Sequence, residues 1–303
     1  MYKALLAIVG AVIVLAGPVL AQDRVTLGHA RLFSNDALGD AKDRWRSGSY
    51  MVSRLRGPSW DGVLPSRPGE ILEFRLRSEI IAPADLVTPA LDDRRYAGVL
   101  ALGLHTHFAL GQAEASLGGE LVVTGPQTGI GAFHREVHEL FDMPEPQVLD
   151  DQIPNGIHPT LRAEIGQRFD LGRVVSLRPF VEAQAGVESF VRVGGDMVIG
   201  GSGTGALLVR DSVTGHLVEG IAGSDGPGLS FMLGGDVARV FDSAYLPSGG
   251  AAVLSDSRGR LRAGLNWQGE KTEVFYGLTW MGKEYEAQPD EQVVGSIRLR
   301  LRF

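Results

Sequence analysis

Apolar side chains recur at every second position through most of this chain, and a period of two dictates β-strands. Leu72, Phe74, Leu76, Ser78 and Ile80 fall on one face of such a segment, against Glu73, Arg75, Arg77 and Glu79 on the other. Leu261, Ala263, Leu265 and Trp267 oppose Arg262, Gly264 and Asn266, and Val274, Tyr276, Leu278 and Trp280 oppose Glu273, Phe275, Gly277 and Thr279. The last segment sets Ile297, Leu299, Leu301 and Phe303 against Arg298, Arg300 and Arg302. Strands are predicted at roughly 24–34, 45–55, 70–80, 96–109, 112–124, 158–169, 174–187, 189–201, 229–241, 258–268, 271–281 and 292–303. That is an even number, and most are near the ~9–11 residues a tilted strand needs to cross a bilayer.

A soluble sandwich alternates too, so other features must choose. The polar face is charged even in the central strands, which suits a wet lumen better than a packed core. Trp267, Tyr276 and Trp280 are read as lying near strand ends, as aromatic girdles do. Phe303 closes an alternating run of the kind that ends bacterial outer-membrane proteins, and a soluble domain with such an edge would risk aggregation. The expected fold is all-β: a twelve-stranded antiparallel transmembrane barrel with a short helix in an extracellular loop.

Residues 1–21 read as a signal peptide, with Lys3, an apolar run interrupted by Gly10, Gly17 and Pro18, and small residues before Gln22. Its removal leaves one domain, 22–303, of 282 residues, and takes the formal net charge from −7 to −8. No apolar stretch of that domain is long enough to span a bilayer as a helix. Cysteine is absent, which excludes disulfides and thiolate chemistry, and export without it points to a bacterial outer membrane. An acidic chain is also a poor partner for nucleic acid. Two stretches break the strand pattern. Residues 126–157 read as a short helix, with Ala132, Phe133, Val137, Leu140 and Phe141 at helical spacing, plus a Pro-rich loop. Residues 201–228 read as an extended Gly- and Ser-rich loop that carries a little strand.

The helix holds His134 and His138, four apart and so on one face. Glu136 sits midway between them, where neither zinc-protease pattern puts its glutamate, and no third ligand follows in sequence. A dedicated zinc site is not expected. The first strand ends in Phe33-Ser34-Asn35-Asp36, followed by Asp43-Arg44-Trp45-Arg46-Ser47-Gly48. A later strand opens on Asp92-Asp93-Arg94-Arg95-Tyr96-Ala97-Gly98. Taken singly, these are Asx turns and rim charges.

Together they resemble the outer-membrane lipid A 3′-O-deacylases, twelve-stranded barrels that remove an acyloxyacyl chain from lipopolysaccharide. The first block of that family resembles Asn35-Asp36, Asp43-Arg44 and Ser47-Gly48-Ser49, and its second resembles Asp93 to Gly98. A third resembles Gly125-Pro126, then His138-Glu139-Leu140-Phe141, then Leu149-Asp150-Asp151-Gln152. The three blocks run in order from about residue 25 to 170. The chain departs from the family at Ala82–Ala90, where a basic pair is absent, and at Leu149, which replaces an aromatic residue.

The resemblance implies a lipid A deacylase acting on lipopolysaccharide in the outer leaflet, dependent on calcium. It makes His138, not His134, the catalytic histidine. Asn35 and Asp36 are the family's paired residues, and Ser47 its hydroxyl residue. For ester hydrolysis a neutral imidazole at His138 is the natural base for an attacking water. Asp36 would orient it or hold the cation, Asn35 would steady the oxyanion, and Ser47 would position water or substrate. Arg44, Arg46, Arg94 and Arg95 are the local cations available to grip a phosphorylated head group. The alternatives are a non-enzymatic barrel, either porin or surface protein, and a phospholipase-type esterase using Ser47 and His138.

Overall fold

The structure, a computed structural model, describes residues 24–172, 174–223 and 226–301; the predicted signal peptide and Phe303 lie outside these described residues. The strands are β1 (Val25–Asn35), β2 (Trp45–Gly57), β3 (Ile71–Ala82), β4 (Ala97–Leu110), β5 (Ala113–Thr124), β6 (Gly156–Gly166), β7 (Phe169–Leu171) and β8 (Val175–Ala185). They continue as β9 (Glu188–Ile199), β10 (Leu207–Arg210), β11 (Leu217–Ile221), β12 (Gly228–Ser243), β13 (Ser257–Gln268), β14 (Thr272–Met281) and β15 (Gln292–Leu301). A single α-helix occurs among the described residues, α1 (Ile130–Leu140).

Twelve strands form a closed antiparallel barrel in the order β1 to β6, β8, β9 and β12 to β15, with β15 returning to β1. Each coincides with one predicted segment. The segment predicted at 158–169 divides: β6 stops at Gly166 and the short β7 resumes pairing with β8 from Phe169↔Leu177. Among the described residues no helix is long and apolar enough to cross a membrane.

The alternation is turned inside out relative to a soluble protein. Phe74 and Leu76 are 46 % and 48 % exposed, whereas Glu73, Arg75, Arg77 and Glu79 between them are buried. An apolar face turned outward and a charged face turned inward is what lipid outside and polar filling inside require. Trp267 and Trp280 are each next to last in β13 and β14, which run in opposite directions, so they mark the two rims. Tyr276 does not mark a rim. It lies in the middle of β14, where its hydroxyl donates to the Leu38 carbonyl at 2.8 Å.

The lumen is crowded by paired charges, with a cavity of about 330 Å³ left beside Arg75, His107, Arg162, Glu164 and Arg210. Arg262 pairs with Asp196 (2.6 Å) and Asp236 (2.5 Å), and Arg210 with Glu164 (2.6 Å) and Asp196 (2.8 Å). Charges taken out of water must be compensated in this way. The 201–228 stretch folds inward as the β10–β11 hairpin. Its Leu207, Val209, Val218 and Ile221 pack on Leu32, Met51, Leu55 and Phe275 from the inner wall, a small apolar core inside the barrel. Gly28 allows this docking: a Cβ there would lie 2.1 Å from the Gly220 carbonyl oxygen.

The connections 36–44, 83–96, 125–155 and 282–291 all open on the rim opposite the start of β1 and the end of β15. The three blocks singled out in the sequence therefore meet at one rim.

Candidate active site

Alternation along β4 puts Gly98 on the same face as Leu102 and Leu104, which are exposed to the outside. A Cβ on Gly98 would lie 2.8 Å from Thr128 Oγ1 and 2.9 Å from Ile130 Cβ, so the start of α1 seats directly on the outer wall. The helix turns Gly131, His134 and His138 inward and leaves Phe133, Leu140 and Phe141 exposed. Facing lipid, an exposed apolar stripe carries no penalty.

Between helix and wall the two imidazoles converge on Asp43. His138 Nε2 lies 2.9 Å from Asp43 Oδ2, His134 Nε2 lies 3.4 Å from the same oxygen, and the two Nε2 atoms are 3.1 Å apart. His138 Nδ1 is 2.6 Å from the Pro144 carbonyl. A carbonyl only accepts, so Nδ1 carries the proton and Nε2 of the neutral ring is a bare lone pair. The Ser47 hydroxyl donates to the other Asp43 oxygen at 2.5 Å. Burial alone would raise the Asp43 carboxyl, but the His134 imidazole, the Ser47 hydroxyl and the His138 imidazole beside it outweigh that and hold the group down at about 2, which favours a positive charge on the imidazoles it faces. Tyr96 stacks on His134, with ring centroids 5.8 Å apart, and its buried hydroxyl has no hydrogen-bond partner.

The residues singled out in sequence divide into those at this cluster and those away from it. Ser47 reaches it because the β2–β3 register slips between Trp45 and Gly48, a bulge that re-aims the strand end. Asn35 pairs with Gly48 and shares the outward face of Phe33. Its Oδ1 accepts from the Ala37 N–H at 2.8 Å, which leaves the amide NH₂ to project beside Gly48. His134, expected to stand apart from the chemistry, is a full member of the cluster, and the carboxylate that touches His138 belongs to Asp43, not Asp36. Asp36 is buried one step away, where its Oδ2 accepts from the Arg44 N–H (2.8 Å) and the Gln292 amide (3.4 Å) and so holds the 36–44 loop closed. Asp43 and Tyr96 stood within the quoted blocks, but no spacing rule marks which of several Asp residues a loop will turn toward a helix.

Of the four arginines expected to grip substrate, two are spent inside the barrel mouth. Arg46 is buried against Glu79 (2.5 Å), Glu284 (2.8 Å) and Glu188 (3.5 Å), because the strand register turns it into the lumen. Arg94 pairs with Glu284 at 2.5 Å and is also buried. Arg44 lies over the Trp45 ring and pairs with Asp40 (3.3 Å) and the exposed Asp290 (3.5 Å). Arg95 alone of the four is well exposed, next to Asp151 on the surface.

Calcium takes about six to eight oxygen ligands. Asp36 is surrounded instead by N–H donors. Its burial, with the charges of Asp43 and Asp40 adding, raises its carboxyl to about 8 against the pull of the Arg44 N–H. The oxygens of Asn35 and Asp36 do not form a cage that fits the calcium implied by the resemblance. The ligand cluster found among the described residues is Asp43, His134 and His138, whose donor atoms all lie within 4.8 Å of one another.

On the outer wall below α1 runs an apolar groove of about 1000 Å³ lined by Phe74, Leu76, Leu102, Leu104, Leu121 and Leu161. Leu102 is four residues from Gly98 on the same strand face, roughly 13 Å down the wall at ~3.3 Å per residue.

The sequence profile of the family described as Outer membrane protein LpxR matches residues 5–303. Among solved structures, LpxR from Salmonella typhimurium superposes with a TM-score of 0.75 at 15 % identity, covering 91 % of this chain and 100 % of that one. The NanC porin aligns at a TM-score of 0.41 and 6 % identity, over 91 % of this chain and 100 % of the porin, too distant to carry an argument. No curated protein matches. With the inverted barrel, the helix on its outer wall and a profile match over nearly its whole length, this chain belongs to the LpxR family of bacterial outer membrane proteins.

Proposed function

We propose that the protein is a lipid A deacylase that hydrolyses an ester-linked acyloxyacyl chain of lipopolysaccharide in the outer leaflet. The observation that carries this is the position of the Asp43–His134–His138 cluster, with half-buried Asp43 and two buried histidines: outside the wall, under an apolar helix, at the head of an apolar groove. A lipid anchored in the leaflet cannot enter a crowded lumen, but it can lay its ester against the wall with an acyl chain in the groove. The rim bearing the helix is then the extracellular one.

The chemistry needs a proton acceptor, a way to stabilise the acceptor once charged, and a donor for the oxyanion. The Pro144 carbonyl fixes the tautomer that leaves His138 Nε2 free to take a proton from water. Asp43, already ionised, lies 2.9 Å away to stabilise the imidazolium. As water attacks, charge develops on the ester carbonyl oxygen. The unpartnered Tyr96 hydroxyl and the Asn35 amide NH₂ are the donors suited to it. Collapse of the intermediate breaks the bond to the sugar oxygen, which leaves as a hydroxyl on the lipid by taking the proton held by His138, while the acyloxyacyl chain departs as a carboxylic acid. Ser47 donates to Asp43, so it positions that carboxylate and is poorly set to act as a nucleophile. The crowded lumen weighs against a porin. Expression in a Gram-negative host should shorten lipid A by one acyloxyacyl unit in mass spectra, and His138→Ala should abolish the change. A folded, outer-membrane-inserted protein that leaves lipid A intact would defeat the reading.

A further inference from the structure

We propose that the outer wall of β1 and β2 carries a binding site for the phosphate of an anionic phospholipid in the periplasmic leaflet, built from Arg24, Arg31, Arg54 and Arg56 around His29. The wall's own alternation singles these residues out. On β1 the outward positions include His29, Arg31 and Phe33, exposed on either side of the buried Ala30 and Leu32. On β2 they read Tyr50, Val52, Arg54 and Arg56. Among the described residues the outward positions of β3 to β6, β8, β9 and β13 to β15 carry no ionisable side chain. Arg239, which turns outward on β12, is paired with Asp256 at 2.8 Å. The charge on β1 and β2 therefore breaks an otherwise apolar wall, and a charge facing lipid is costly unless a counter-charge answers it.

Nothing among the described residues answers it. Arg54 donates from Nη2 and Nε to Thr26 Oγ1 (2.6 and 3.0 Å), Arg56 from Nη2 to the Arg24 carbonyl (2.5 Å), and Arg24 from Nη2 to the Gly69 carbonyl (2.9 Å). A hydroxyl and two carbonyls orient guanidinium groups without neutralising them. His29 faces the charges of Arg31, Arg54 and Arg300, all positive. Arg31 itself makes neither a hydrogen bond nor an ion pair among the described residues. The direction of these contacts sets the depth of the ligand. Arg54 is registered with His29 but reaches down to Thr26, and Arg56 reaches down to Arg24, as long cationic side chains do to bring their heads to a membrane interface. The rim they approach carries the short turns 111–112 and 269–271, which mark the periplasmic side of a membrane barrel. Lipid phosphates lie at that interface, and clustered basic side chains there select anionic head groups, whose oxygens fit the planar guanidinium fork. A second copy of the chain docked through this face would bring like charge to like. The site lies toward the opposite rim from Asp43 and His138 and does not depend on the hydrolase reading.

The test is native mass spectrometry of the protein folded in detergent, stripped of lipid and offered phosphatidylglycerol or phosphatidylcholine in turn. Wild type should retain one phosphatidylglycerol per chain in preference to phosphatidylcholine. Arg31→Gln combined with Arg54→Gln should weaken phosphatidylglycerol binding about 25-fold, at roughly fivefold per arginine removed from a lipid surface, and leave phosphatidylcholine unchanged. Arg95→Gln, at the other rim, should alter neither. Equal retention of the two lipids by wild type overturns the proposal, whether or not the variants fold. So does phosphatidylglycerol held equally by wild type and the double variant, or lost equally on removal of Arg95. A wild type that retains neither lipid overturns it as well, and assigns the unanswered charges to the carboxylates of a protein partner.

Discussion

The buried Asp36 carboxyl makes stability depend on pH in a direction unusual for an acid. Its pKa rises from an ordinary 3.8 to about 8 because burial penalises the charged form more than the Arg44 N–H favours it. Between those values the unfolded chain has released the proton and the folded chain still holds it. Stability is therefore greatest below pH 4 as far as this group is concerned, and falls as pH rises, by about 1.4 kcal/mol per pH unit. By pH 7 the accumulated loss is about 4 kcal/mol, and above pH 8 it levels off. Asp36→Asn keeps an oxygen to accept from the Arg44 N–H and cannot ionise, so it should remove this component. Urea unfolding in detergent with chelator present, at several pH values between 4 and 9, measures it. The wild-type curve should fall away from that of Asp36→Asn as pH rises, and the variant should be the more stable at pH 8. Parallel curves would refute the reasoning, and a wild type stabilised by calcium at pH 8 would restore Asp36 as a ligand of that ion.

Other expectations follow from named contacts. Arg46→Met should destabilise the barrel by about 3–5 kcal/mol, because it strands Glu79, Glu188 and Glu284 in the lumen; urea midpoints will show it. Gly98→Val should lift α1 from the wall and abolish deacylation while leaving the barrel folded, as judged by its strand circular dichroism. His134→Ala should depress lipid A deacylation together with His138→Ala, since both rings meet Asp43; a fully active His134→Ala would return His134 to the status of bystander. Arg95→Ala should shift stability by less than about 1 kcal/mol, as an exposed pair permits, and any large loss of activity would identify it as a head-group contact.

The wall was legible in sequence because a two-residue period under lipid on one side and charge on the other leaves one solution. All twelve wall strands fall where the alternation runs, and α1 falls where the spacing lengthens between Pro126 and Pro144. What alternation cannot carry is the fate of loops. The stretch 201–228 contains few apolar residues in a row, and only the enclosed inner wall gives Leu207 and Val209 something to pack on. The fate of Arg46 hid for the same reason: one bulge between Trp45 and Gly48 decides whether a rim cation faces solvent or lumen. The site was half legible. Ser47 and His138 from the family blocks both meet Asp43, which faces the imidazole in place of Asp36 because the loop's Arg44 N–H holds the Asp36 carboxyl.

The lumen's contents tie together parts of the chain that are far apart in sequence. Arg46 finds Glu188 and Glu284 at separations of 142 and 238 positions along the chain, and β11 lies against β1 from 180-odd places downstream, roughly the reach that makes contact formation slow. Among the described residues the β1–β15 seam is registered at three pairs, Phe33↔Ile297 to Asn35↔Gly295. The β10–β11 hairpin enters through the rim where β1 starts and β15 ends, so it can plug the cylinder from that open end, and its packing on β1 then braces the strand that carries the seam. Loosening that plug would therefore be felt first at the seam, far along the chain from the hairpin itself.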